Sequence, residues 1–178
     1  MTSSLVITVI GPDRPGLVET LSRTVSEHGG NWTRSRMAHL AGQFAGILHV
    51  TVPADAADGL KGALDSLSGN GLVVAIARED AVAGAASPAA TGLGLKLDLV
   101  GQDRPGIVRE ISRALAARGV NVEELATECE SAPWSGESLF KAQVSLHAPA
   151  DIDLDSLRRD LEAIAQDLMV DISLVRPV

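Results

Sequence analysis

The sequence predicts an α+β chain of two tandem ferredoxin-like βαββαβ domains, each an antiparallel four-stranded sheet with two helices on one face. Three observations carry this. An internal repeat returns at a fixed offset. Within each copy, hydrophobic periodicity switches between two and about 3.6. A stretch of small residues separates the copies. Gly11-Pro12-Asp13-Arg14-Pro15-Gly16 comes back as Gly101-Gln102-Asp103-Arg104-Pro105-Gly106, an offset of 90. The same offset carries Leu17-Val18 onto Ile107-Val108, and Gly29 and Asn31 onto Gly119 and Asn121. Phe44 to Pro53 then match Phe140 to Pro149 at an offset of 96, so the second copy carries about six extra residues between Cys129 and Ser138. Residues 1–80 form the first predicted domain, 81–93 a linker rich in Ala, Gly, Ser and Pro, and 94–178 the second.

Each copy reads in the same order. Leu5 to Ile10 and Leu95 to Val100 are strands. Leu95, Leu97 and Leu99 alternate with Lys96 and Asp98, which gives that sheet one wet face. The first strand is apolar on both faces, and Val6 and Ile10 predict that another copy of the domain or another chain covers it. A helix follows, with Pro15 placed in its first turn. Leu17, Leu21 and Val25, and Ile107, Ile111 and Leu115, step at helical spacing, and Gly29 and Gly119 stop the helices. Two strands come next, marked by Phe44, Leu48, Val50 and Val52 and by Phe140, Ala142, Val144 and Leu146. A tight turn at Ala41-Gly42 would pair His39 with Phe44 and Arg34 with His49. Leu60, Leu64 and Leu67, and Leu154, Leu157, Leu161, Ile164 and Leu168, mark the second helices. Leu72 to Ala77 and Val170 to Val175 close the units. The order β-α-β-β-α-β is the split βαβ pattern.

Composition narrows the function. Hydrophobic residues make up 46% of the 178 and aromatics only 2%, so the core is aliphatic and base-stacking platforms are disfavoured. A net charge of -8 repels phosphate backbones, and Arg14, Arg23, Arg34 and Arg36 are too sparse for a basic footprint, so no direct nucleic-acid partner is expected. The single cysteine, Cys129, excludes an internal disulfide and fits a reducing compartment. No signal peptide or apolar run of membrane length is seen, so a cytoplasmic location without membrane association is expected.

The Asp-Arg-Pro-Gly loops join strand to helix. A first helical turn presents unpaired N–H groups and partial positive charge, which suits a carboxylate. Gly16 and Gly106 would let a ligand approach the backbone. Asp13 and Asp103 could accept from an ammonium group or could instead cap the helix. A zwitterionic α-amino acid would satisfy both charges. Asn31 and Asn121 open the next strand with amides that donate and accept. Equally, the same residues make a sound helix start and turn without any ligand.

Other constellations are weaker. His39 and His49 would stand about 17 Å apart along the ladder, so they share no metal. Cys129 lacks a basic partner in sequence. Glu123, Glu124, Glu128 and Glu130 read as a solvated face, and Trp134 as an exposed contact residue at a hairpin tip. Nothing combines nucleophile, base and oxyanion site, and no catalytic residues, cofactor or metal are expected.

Gly-x-Asp-Arg-Pro-Gly-[Leu/Ile]-Val after a strand, then a helix, then Gly-x-Asn, resembles the ACT domain. Two such domains alone, together with Ser35-Arg36-Met37-Ala38 and Phe44, resemble the glycine cleavage system transcriptional repressor group. The resemblance implies a regulatory module that binds amino acids at the first loop and often at interfaces between domains or subunits. The ligand positions it implies are Gly11, Asp13, Arg14, Gly16 and Asn31, and Gly101, Asp103, Arg104, Gly106 and Asn121. The second copy departs from the first at Val122-Glu123-Glu124-Leu125, where the first has Trp32-Thr33-Arg34-Ser35. The expected function is an amino-acid-responsive transcriptional regulator, not an enzyme. Its ligand would be glycine or a similar amino acid. It would act through a protein partner such as a LysR-type activator and would form a homo-oligomer. The alternative is an effector-binding subunit of a separate amino-acid or one-carbon enzyme. ACT modules also occur fused to enzymes such as formyltetrahydrofolate hydrolases, but both copies and the linker fill this chain.

Overall fold

Leu5, Ile7 and Val9 lie on one side of the first strand and are buried, whereas Thr8 and Ile10 on the other side are exposed. The alternation in the sequence thus becomes a sheet with one covered face. The computed structural model describes residues 1–79, 92–131 and 137–177. It divides into two units, Met1–Ala86 and Ser87–Val178. The first contains β1 (Thr2–Pro12), α1 (Leu17–Glu27), β2 (Asn31–Leu40), β3 (Gln43–Pro53), α2 (Ala57–Ser66), a 3-10 turn (Leu67–Asn70) and β4 (Val73–Arg78). The second contains β5 (Gly92–Gln102), α3 (Ile107–Ala117), β6 (Asn121–Ser131), β7 (Ser138–Pro149), α4 (Leu154–Leu168) and β8 (Val170–Val175). The sheets have the order β2-β3-β1-β4 and β6-β7-β5-β8, with every pairing antiparallel.

The cores are aliphatic. In the first unit Leu5, Ile7, Leu21, Leu48, Leu60 and Leu64 meet between sheet and helices; in the second, Leu97, Leu115, Leu146, Leu157 and Leu161 do so. α4 is the best-started helix: the Asp153 carboxylate accepts from the Ser156 N–H at 3.0 Å. The β2–β3 hairpin has the expected register, His39 opposite Phe44 and Arg34 opposite His49. Its two turn residues, Ala41 and Gly42, have φ of 49° and 76°, the left-handed pair that a two-residue hairpin needs. Irregularities between Trp32 and Arg34 and between Val122 and Glu124 shift the register at matching places in the two edge strands.

Two local expectations change. Pro15 is outside the helix, because Gly16 has φ of 90° and serves as the N-cap, so α1 starts at Leu17. β5 starts at Gly92, so residues 92 and 93, expected in the linker, belong to a strand. Gly92 pairs with Pro149, and a Cβ there would collide with the His147 imidazole and the Ala148 carbonyl. A residue chosen for closeness therefore read as one chosen for looseness. The remaining linker residues, 81–91, lie outside the described residues, as does Trp134. Among the described residues no helix is long and apolar enough to cross a membrane.

Candidate functional site

Each Asp-Arg-Pro-Gly loop is stitched at its start to the neighbouring hairpin. The Asp13 N–H donates to the Gly42 carbonyl at 2.9 Å, and the Asp103 N–H to the Ser138 carbonyl at 2.8 Å. The chain then turns through Gly16 and Gly106, at φ of 90° and 100°, and the helix begins. The first ladder bonds run from the Thr20 N–H to the Gly16 carbonyl (2.9 Å) and from the Glu110 N–H to the Gly106 carbonyl (3.0 Å). No side chain caps either helix. The N–H groups of Leu17, Val18 and Glu19, and of Ile107, Val108 and Arg109, thus precede the ladder at the positive end of a helix.

Asp13 and Asp103 are not the caps. Their carboxylates face the edge strand instead. Asp13 Oδ2 is 3.7 Å from His39 Nε2, and the Asp103 carboxylate stands near enough to Cys129 to act on its thiol. His39 and Cys129 are equivalent at the offset of 90, and neither stands out as a loop partner in sequence. The register signals both: His39 pairs with Phe44, which also pairs with Gly11 on its other side. Desolvation at the loop, then the Asp103 charge, pushes the Cys129 thiol above its usual range, although the residue as a whole is exposed. A thiol so placed is a poor nucleophile.

The four candidate glycines divide in two. Gly11 and Gly101 are filled around: a Cβ on Gly11 would lie 2.8 Å from the Gly71 carbonyl, and one on Gly101 would lie 2.8 Å from Val170 Cα. They let the chain entering the last strand pass close by. Gly16 and Gly106 have nothing within 4 Å of a Cβ, and their left-handed backbone faces open space. Beside Gly16, a cleft of about 300 Å³ is lined by Arg14, Thr20, Leu67 and Leu72. Arg104 is half-buried, unlike exposed Arg14. Asn31 and Asn121 are elsewhere. Asn31 pairs with Thr51, whereas Gly11 pairs with Phe44, seven residues away on β3. At about 3.4 Å per residue the two ends are about 24 Å apart. Asn121 pairs with His147 in the same way, at the far end of its sheet from Gly101. Each unit therefore gathers Gly11, Asp13, Arg14 and Gly16, or their counterparts, at one end and leaves the asparagine at the other.

Comparison with known proteins agrees with this architecture. Residues 3–72 and 97–166 each match an ACT domain family model. The chain is a tandem ACT-domain protein. It is 27% identical over 164 residues to the glycine cleavage system transcriptional repressor of Escherichia coli (strain K12), covering 92% of this chain and 85% of that one. A crystal structure of an unknown protein from Galdieria sulphuraria is 30% identical, covers 100% of both chains and has a TM-score of 0.83. A candidate glycine cleavage system transcriptional repressor, 21% identical with 99% of each chain covered and a TM-score of 0.67, shares the fold.

Away from the loops, the first ACT domain holds a polar cluster on its helix-free face. The Thr33 hydroxyl donates to the His49 carbonyl at 2.9 Å and contacts the imidazole Nδ1 at 2.5 Å, while His49 Nε2 is 3.3 Å from Glu79 Oε2. Hydrogen bonds from His49, then Ser4, hold the Glu79 carboxyl below its usual value of 4.5. A carboxylate so lowered stabilises the fold above its unfolded-state value, and that contribution is lost as pH falls through the lowered one. Glu79→Gln is therefore expected to lose less stability than the wild type between about pH 6 and about pH 3, read from urea midpoints. An equal loss in both would contradict the pairing. In the second ACT domain the acidic residues of β6 are exposed, and Glu130 pairs with Lys141 at 2.5 Å.

Proposed function

We propose that this tandem ACT protein is an amino-acid-responsive regulator of the glycine cleavage repressor type. It binds glycine or a similar small amino acid and acts through a protein partner such as a LysR-type activator, without binding DNA and without catalysis. One observation carries the reading: in both domains an uncapped helix start stands open behind a left-handed glycine, with the loop carboxylate turned aside from the cap. A ligand carboxylate would meet the free N–H groups of residues 17–19 or 107–109. The ligand ammonium would meet Asp13 or Asp103, and Asp13 stays 43% exposed beside His39. The acidic surface and the likeness to the repressor over most of the chain support a protein partner.

Calorimetric titration with glycine, then with a panel of amino acids, tests this. Saturable heat that disappears in Asp13→Ala or Asp103→Ala, with the thermal midpoint kept, is the expected result. Asn31→Ala, at the far end of the sheet, is expected to leave binding intact. No heat with any amino acid would make the loops structural helix starts and overturn the reading.

A further inference from the structure

The helix-free faces of the two sheets differ in their balance of charge, basic in the first and acidic in the second. Strands β1 to β4 contain no acidic residue, and Glu79, which follows β4 on this face, is tied to His49, whereas β5, β6 and β8 contain Asp98, Glu123, Glu124, Glu128, Glu130 and Asp171 against Lys96 and Lys141 in the same sheet. Arg34 of the first unit stands where the second has Glu124, at the offset of 90. After the irregularity in β2, Arg34 and Arg36 share the helix-free face, opposite His49 and Ile47. Next to them this face exposes Ile10, Ile47 and Val73 by 45%, 53% and 64%. A hollow of about 400 Å³ lies on it among Thr33, Arg34, His49 and Glu79. The second unit's face has two adjoining hollows of about 360 and 300 Å³ that share Asp98, Ala126 and Gln143. The larger reaches Glu128 and Lys141, and the smaller Glu124 and Lys96.

We propose that the helix-free face of the first unit docks onto the helix-free face of the second unit in another copy of this chain, twice over in a reciprocal dimer. Arg34 and Arg36 seat among the carboxylates that edge the hollows, in the geometry guanidinium groups favour. Ile10, Ile47 and Val73 meet the exposed Val100 and Val175, which supplies the apolar burial that rim charges do not. The charges select the opposite face, because two like faces would repel. A second copy offers both complements at once. Four strands about 4.8 Å apart and about six residues long give roughly 400 Å² per face. Two reciprocal contacts then hide about 1,600 Å² in all, the size of a standard specific interface.

Sedimentation equilibrium of the full chain at tens of micromolar tests this. The wild type is expected to be a dimer. Arg34→Glu with Arg36→Glu sets carboxylates against the carboxylates at the hollows, and Glu124→Lys with Glu128→Lys sets lysines against Arg34 and Arg36, so each double variant is expected to weaken self-association at least tenfold. An equimolar mixture of the two double variants is expected to restore the dimer, since each altered face then meets its complement in the other variant. A monomeric wild type, a dimer indifferent to either pair of substitutions, or a mixture that stays monomeric would overturn the proposal.

Discussion

Gly101→Ala is expected to destabilise the second domain by about 3 kcal/mol, the upper end of the usual cost of forcing a group into a filled site. The new Cβ would lie 2.8 Å from Val170 Cα and 2.5 Å from its Cγ1. Val170 pairs directly with Gly101, so the obstacle is the backbone of an adjacent strand rather than a side chain that can swing away. Relief requires β5 and β8 to part. Gly106→Ala, five residues on, meets nothing within 4 Å and bears only the left-handed backbone, at about 1–2 kcal/mol. Urea denaturation of the full chain separates the two, with the larger midpoint loss for Gly101→Ala. Equal losses, or none at Gly101, would contradict the packing role. The comparison bears on function too: ligand binding lost in Gly101→Ala would be lost through the fold, whereas Gly106 is the glycine that faces open space.

Leu161→Ala is expected to cost about 3–4 kcal/mol, the lost transfer energy plus the cavity left behind. Leu161 is fully buried in α4 and belongs to a core with Leu97, Leu115, Leu146 and Leu157. With almost no aromatic residue to spread into the gap, the core can collapse only by moving the helix. At about 0.1 kcal/mol per residue, a domain of this size has roughly 8 kcal/mol in hand. The substitution therefore removes a large share of it and should lower the second domain's melting temperature by more than 10 °C. Exposed Glu162→Ala next to it is the control, expected within about 0.5 kcal/mol of wild type. A small effect at Leu161 would mean that α4 does not carry the core.

The architecture was legible because the signals that specify it are periodic. Leu95, Leu97 and Leu99 alternate, Leu157, Leu161 and Ile164 step, and the offset of 90 shows each signal twice. The hairpin register was legible too, since Ala41-Gly42 leaves only one tight pairing. The loop was harder. Asp before Arg-Pro-Gly looks like a cap, but Gly16 takes the cap position, and the three-residue lead swings the carboxylate toward His39. Asn31 sits 18 residues after Asp13 in the chain, and α1 uses those residues to run the length of the sheet. Chain proximity is thereby turned into spatial separation. The glycines looked alike in sequence, and only the neighbours of Gly11 and Gly101, the Gly71-Leu72 lead into β4 and Val170 of β8, distinguish them from Gly16 and Gly106. Ile10 was read as an apolar residue awaiting a cover, and it is exposed within its own sheet.

The central claim, that the uncapped helix starts are where an amino acid binds, is tested most directly by amide chemical shifts during titration with glycine and then the other amino acids. The expected result is a saturable shift of the amides of residues 16–20, of residues 106–110, or of both, with the amides at the far ends of the sheets unmoved. Saturable shifts confined to other surfaces, or none with any amino acid, would contradict it.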